Sequence, residues 1–98
     1  MIKFSASLFV PSERDVLEEC HGAGHRSVGG FLLSQHAYDR MLERRIKRAE
    51  VARALVDATE ARNQGDGTWK VSGGDDTDGV PLTLIVALVD GLLIITIF

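Results

Sequence analysis

Cysteine is nearly absent from this chain: Cys20 stands alone, which rules out an internal disulfide framework and leaves packing and hydrogen bonds to hold the fold. The same scarcity fits a reducing, cytoplasmic setting. Positive charge is also short, with 11 Lys and Arg against 14 Asp and Glu and a formal net charge of -3. A globally basic nucleic-acid binder is thereby excluded, and polyanion binding falls to a local basic surface. No secretory leader is expected, because the apolar stretch after Met1 is brief and Pro11-Ser12-Glu13 interrupts it. Val80 to Phe98 is apolar enough to suggest a membrane span, yet Asp90-Gly91 would sit near the bilayer centre, where an aspartate costs about 2.5–3.5 kcal/mol. A β-hairpin explains those two residues better, so no membrane partner is expected.

Motifs for bound groups are missing as well. Gly22, Gly24, Gly29 and Gly30 precede no Gly-Lys-Ser/Thr, so they make no phosphate loop. Asp75, Asp76 and Asp78 lack the glutamate that closes a calcium loop. Cys20-His21 and His25 follow no standard zinc spacing. Neither a metal nor an organic cofactor is expected.

What is present suits one small α+β domain. Ninety-eight residues with 45% hydrophobic content can build one packed core. The pattern predicts a single domain over 1–98, with 1–30 forming an arm, a helix and a glycine-rich loop, and 31–98 forming the core. Phe4, Ala6 and Leu8 alternate within Lys3–Val10, as in a first strand or extended arm. Ser12 is placed to cap a short helix running to about Cys20, with Glu13 and Asp15 at its positive end. The glycines between His21 and Gly30 predict a mobile loop leading to Phe31-Leu32-Leu33, and Ser34 can cap the next helix.

From His36 to Ile46 the residues Tyr38, Met41, Leu42 and Ile46 follow helical spacing and predict one buried stripe. A second helix follows a break near Ile46-Lys47-Arg48, with Val51, Ala52, Leu55 and Val56 inward and Arg48, Arg53, Asp57 and Glu60 outward, ending before Asn63-Gln64-Gly65. Trp69 and Val71 alternate in a strand over Thr68–Ser72 that enters the acidic turn Gly73–Gly79, and Trp69 reads as core. Pro81–Val89 and Leu92–Phe98 are the clearest strands, joined by Asp90-Gly91 in a type I′ turn that needs positive φ at both positions. Both faces of these arms are apolar, which places them at the centre of the sheet or against a partner's surface. The fold expected is therefore short helices packed on a small twisted antiparallel sheet that ends in this hairpin. Helices would cover one face, and a homodimer through the C-terminal sheet is one way to cover the other.

The residues with chemistry lie mostly on the first central helix. His36, Arg40 and Arg44 are spaced by four, so an imidazole and two guanidiniums share one ridge. Arg40, Arg44, Arg45, Lys47, Arg48 and Arg53 outnumber Asp39, Glu43 and Glu50, making a basic region in a net-acidic chain. Guanidinium forks match phosphate oxygens. The plainer alternative is a solvated helix face tied by pairs such as Glu43 with Lys47 and Arg53 with Asp57.

This stretch resembles the domain of unknown function family 4258. The resemblance rests on Ser34, His36-Ala37, Arg40-Met41, Arg44 or Arg45 with Ile46, Glu50-Val51, Ala54-Leu55 and the closing Ile95-Thr96-Ile97-Phe98, and it spans roughly Phe31 to Phe98. Phe98 stands where the family often has tyrosine, and Lys47 where a capping serine or threonine is common. The family looks similar in fold to the RelE-like and colicin-type ribonuclease toxins. That likeness implies metal-independent RNA cleavage, in which a base takes the 2′-OH proton, cations stabilise the phosphorane and an acid protonates the leaving oxygen. His36 would be the base or acid, Arg40 and Arg44 would hold the phosphate, and Lys70 and Thr96 would complete the site. Arg45, Lys47, Arg48 and Arg53 would bind RNA, and a neutralising protein would be a partner. The alternative is a non-enzymatic interaction module, a regulator or mobile-element-encoded inhibitor, that uses the basic ridge or the Asp75–Asp78 turn to contact a target protein.

Overall fold

The computed structural model describes residues 11–26 and 30–98. The strand or arm expected over Lys3–Val10 lies outside them. Among the described residues the order is α1 (Glu13–His25), β1 (Phe31–Leu33), α2 (Gln35–Arg44), α3 (Arg48–Val56), β2 (Glu60–Asn63), β3 (Trp69–Asp75), β4 (Pro81–Leu88) and β5 (Leu92–Ile97). The fold is α+β, as the sequence predicts.

Ser12 caps α1: its Oγ accepts from Asp15 N at 3.2 Å, and the Asp15 carboxylate accepts from Ser12 N at 3.0 Å. The helix does not stop at Cys20. It continues through Gly22 and Gly24 to His25, so the glycine-rich loop is shorter than expected. The reason is packing: a Cβ on Gly24 would lie 2.4 Å from the Ala52 carbonyl oxygen and 2.8 Å from Val56 Cγ2, so glycine lets α1 approach α3 closely. Cys20 and Ala23 are buried on the same helix.

Ser34 caps α2, accepting from Ala37 N at 3.0 Å. Arg45 ends it at φ 57, and the break before α3 falls where expected. The buried stripe is narrower than predicted. Ala37 and Met41 are buried, as is Ile46 beyond the helix, but Tyr38 is 48% and Leu42 61% exposed. On α3 Val51, Ala54 and Leu55 are buried, with Ala52 and Val56 half-buried. This helix ends at Val56, and Glu60 opens β2 instead of extending it. Thr59 N donates to Ser72 O at 2.9 Å, which turns the chain into the sheet. The β2–β3 link then uses Gly65 and Gly67 at φ 88 and 90.

The five strands form one open sheet in the order β1-β5-β4-β3-β2. Asp90 and Gly91 both have positive φ, 53 and 119, and β4 and β5 lie inside the sheet as their apolar faces predict. The sheet is mixed rather than wholly antiparallel, because β1 pairs with β5 in parallel, Phe31 to Leu92 through Leu33 to Ile94. Two helices and three strands separate β1 from β5, and β5 returns in the direction of β1. Trp69, Val71, Leu82, Leu84, Val86, Ile94 and Ile97 are buried with Val16, Val51 and Leu55 in the core. No helix among the described residues is long and apolar enough to cross a membrane.

One contact sets the spacing between α3 and the sheet. A Cβ on Gly74 would lie 2.5 Å from Ala54 Cα and 2.7 Å from its carbonyl oxygen, and backbone cannot rotate away. Gly74→Ala should therefore lower stability by about 1–3 kcal/mol, read from the urea midpoint. A loss within about 0.5 kcal/mol, the range of an ordinary surface change, would mean that α3 does not rest on this glycine.

Candidate functional site

The candidate site is built on the edge of β5. Strand β1 covers that edge only along Leu92–Ile94, and a bare edge beyond it would expose backbone carbonyls. Helix α2 supplies the missing donors. Ser34 N donates to Ile94 O at 2.9 Å, Ser34 Oγ to Ile95 O at 2.6 Å, and Arg40 Nε to Ile97 O at 3.2 Å. Ser34 thus caps α2 and ties it to β5 with one hydroxyl. This edge-on placement explains the narrow buried stripe, since α2 touches a strand rather than lying across a sheet.

With Ala37 and Met41 turned inward, α2 has two distinct flanks. One carries His36, Arg40 and Glu43, and the other carries Tyr38, Leu42 and Arg45. His36 is exposed in the first turn, while Arg40 and Arg44 are half-buried. Arg40 Nη1 also lies 3.7 Å from Glu43 Oε1, so Arg40 pairs with the carboxylate that the sequence assigns to Lys47.

Lys70 and Thr96 share one sheet face. Register pairs Arg62 with Lys70, Lys70 with Ile85, and Ile85 with Thr96, which draws one row across β2 to β5. Their neighbours Val71, Leu84 and Ile97 are buried in the core, so this row lies on the opposite face. Lys70 is exposed, and Ile85 and Thr96 are half-buried. Lys70 and Thr96 are two strand spacings apart, roughly 9–10 Å. Among the described residues, Thr96 Oγ1 is a buried side-chain oxygen with no hydrogen-bond partner. The residues Ile95 and Thr96 fall at a register shift in the β4–β5 ladder.

The four expected RNA-binding cations have different surroundings. Arg48 lies over the Phe31 ring, 4.1 Å from its centroid, and donates to Phe31 O at 2.6 Å, which fastens α3 to β1. Arg53 Nε lies 3.7 Å from Asp57, the pair that the sequence suggests. Arg45 sits on the apolar flank of α2, and Lys47 stands at the start of α3.

A cleft of about 530 Å³ lies elsewhere, lined by Glu50, Arg53, Asp57, Asp75, Asp76 and Thr77 among others. Sequence reasoning missed the group that organises it. Glu50 accepts from Lys47 N at 2.8 Å, completing the helix start that Lys47 cannot cap itself, and from Thr77 N at 2.8 Å and Thr77 Oγ1 at 2.6 Å. The signal was a glutamate three residues after the cap position. These bonds, that from the Thr77 hydroxyl first, hold the Glu50 carboxyl down at about 2. Cys20 is buried inside α1, where burial pushes its thiol up to about 12, and His21 Nε2 bonds Ala58 O at 2.8 Å. Among the described residues no group of His, Cys, Asp and Glu is arranged to hold a metal ion.

Fold and site together define a small α+β domain whose open mixed sheet carries a capped, charged helix along the edge of its last strand. Residues 33–98 match the family described as Domain of unknown function (DUF4258), more than half of the chain, and the chain belongs to that family. No curated protein and no solved structure matches it.

Glu50 gives a pH prediction with a definite sign. A carboxyl depressed from 4.5 to about 2 contributes stability above its unfolded value and loses that contribution as pH falls toward 2. Glu50→Gln should therefore lower the urea midpoint at pH 6, and the gap from wild type should close by about pH 2. An equal gap at both pH values would show that the carboxylate charge has no part in the latch.

Proposed function

We propose that this protein is a toxin-type ribonuclease that cleaves RNA without a metal, by attack of a 2′-OH on the neighbouring phosphorus. The observation that carries the reading is the flank of α2: an exposed His36 imidazole one turn from an Arg40 guanidinium that a strand carbonyl holds in place. In this reading one group takes the 2′-OH proton as O2′ bonds to phosphorus. The bond to the 5′ oxygen then breaks and that oxygen receives a proton, leaving a cyclic phosphate and a 5′-hydroxyl. His36 is the candidate for one of the two proton transfers, since imidazole is the side chain suited to both roles near neutral pH. Arg40 and Arg44 stabilise the charge that develops on the phosphorane oxygens.

Three further features support this assignment. The first turn of α2 contains no acidic residue, so its positive dipole end is uncompensated beside His36. Only the Nε edge of Arg40 is committed to Ile97 O, so its Nη groups face a phosphate already oriented, with Glu43 as the competing anion. The row through Lys70 and Thr96 adds a cation and an unpaired hydroxyl on the sheet face opposite the core, whereas Arg62, on the far edge strand, is held by Glu60. Arg48, committed to the Phe31 ring and carbonyl, is left out of the RNA-binding set.

A second reading, an interaction module on the same scaffold, is favoured by the net charge of -3 and by the exposed Tyr38 and Leu42. It differs in what it needs from His36, which is nothing.

The assay is cleavage of defined RNAs in the presence of EDTA, read by end-labelled fragments. His36→Ala should lower the rate by about 10²–10⁴-fold with an unchanged thermal transition. Wild-type protein that leaves a broad set of RNAs intact removes the ribonuclease reading. A stoichiometric protein partner that survives His36→Ala but is lost on reversing Arg40 and Arg44 then selects the interaction module.

A further inference from the structure

In-line transfer at phosphorus puts the attacking and leaving oxygens on opposite sides, so its two proton-transfer groups must flank the phosphate-binding cation from opposite directions. On α2 the exposed His36 lies one turn before Arg40. The residue one turn beyond Arg40 on the same flank is Glu43, seven positions after His36 and therefore about 10 Å further along the helix. Glu43 is exposed, and its Oε1 stands 3.7 Å from Arg40 Nη1, beside the guanidinium to which the phosphate is assigned. The order His36, Arg40, Glu43 thus brackets one cation with two groups able to carry a proton. The other carboxylates nearby do not fit. Asp39 precedes Arg40, on the same side as His36, and accepts from Gln35 Nε2 at 2.9 Å. Glu50 is committed to Lys47 N and to Thr77.

We propose that Glu43 is the second proton-transfer residue of this site, acting as the base while His36 acts as the acid. The inference rests on the ribonuclease reading and supplies the partner that His36 lacks there. The Glu43 carboxylate takes the 2′-OH proton as O2′ bonds to phosphorus, the bond from phosphorus to the 5′ oxygen breaks, and the His36 imidazolium gives that oxygen its proton. The products are the cyclic phosphate and the 5′-hydroxyl, and a proton passed through solvent from Glu43 to His36 restores the starting state. The roles follow from the chemistry of the two side chains: carboxyl groups are ordinarily ionised near neutral pH and accept, whereas imidazole is available there in its protonated form. A phosphate that takes Arg40 releases the carboxylate next to the reacting oxygens, so the ion pair of the free protein is the resting form of the base.

The test is steady-state cleavage by the full chain and its variants, in EDTA, of a defined RNA and of the same RNA with sulfur in place of the 5′ oxygen at the cleaved bond, whose thiolate leaves without a proton. Glu43→Gln should lower kcat by about 10²–10⁴-fold on both substrates, with an unchanged thermal transition. It should bind a 2′-O-methyl copy of the RNA no more weakly than wild type. His36→Ala should lose a similar factor on the oxygen substrate and recover most of it on the sulfur one. Asp39→Asn should stay within about twofold of wild type on both. Glu43→Gln protein that keeps its kcat and binds more tightly would make Glu43 only a competitor for Arg40, overturning the proposal and leaving the ribonuclease reading in place. A loss carried by KM and by weaker binding of the 2′-O-methyl RNA gives Glu43 a positioning role and overturns it too. The reverse substrate pattern, with sulfur rescuing Glu43→Gln and not His36→Ala, has the same consequence. Wild-type protein that cleaves neither RNA overturns both readings together.

Discussion

The edge of β5 is the constraint on which the rest depends. Half of that edge is paired by β1, and the other half is closed by donors from α2 rather than by a strand. A buried or half-buried carbonyl without a donor costs about 1–3 kcal/mol, so the position of α2 is set by backbone accounting as much as by apolar contact. Everything assigned to α2 follows from that placement. The inward turn of Ala37 and Met41 presents His36 and Arg40 on one flank and exposes Tyr38 and Leu42 on the other.

Charged groups therefore serve as architecture here before they serve any chemistry. Arg40 satisfies a strand carbonyl, Arg48 stacks on Phe31 and holds its carbonyl, and Glu50 joins the start of α3 to the β3–β4 turn. Each of these residues, counted from composition, belongs to a local surplus or deficit of charge. Counted from contacts, Arg48 is committed to the Phe31 ring and carbonyl, while Arg53 keeps an exposed side chain beside Asp57.

The parts of the fold legible in sequence were those with local causes. Asp90-Gly91 announces its turn by the φ values it must adopt, and the two-sided apolar arms around it announce the sheet interior. Ser12 and Ser34 announce helix starts through bonds spanning three residues. What stayed hidden depends on partners distant along the chain. Gly24 reads as loop because nothing nearby reveals that α3 needs the space. Tyr38 and Leu42 read as core because periodicity gives the width of an apolar stripe but not how much of it a neighbour covers. Thr96, paired across to Ile85 and Lys70, could be placed on a strand, but its face and its unpaired hydroxyl emerge only from register.

Arg40 shows why the structural and chemical readings of this helix support rather than exclude each other. A free arginine loses up to about 2 kcal/mol of side-chain entropy when it grips a phosphate. Here the bond from Nε to Ile97 O restricts that motion beforehand, and the guanidinium plane is oriented by the same contact that closes the sheet edge. A cation fixed before its ligand arrives stabilises developing charge without reorganising at that moment, which is the main requirement of electrostatic catalysis. Its position beside Glu43 limits the advantage, because a phosphate must outcompete a carboxylate 3.7 Å away. That competition is uneven: the Arg40–Glu43 pair is at least partly solvated, and exposed pairs contribute only about 0–1 kcal/mol. On the proposed ribonuclease reading a doubly coordinated phosphate would have the stronger claim on the guanidinium, and Glu43 would be the group it displaces.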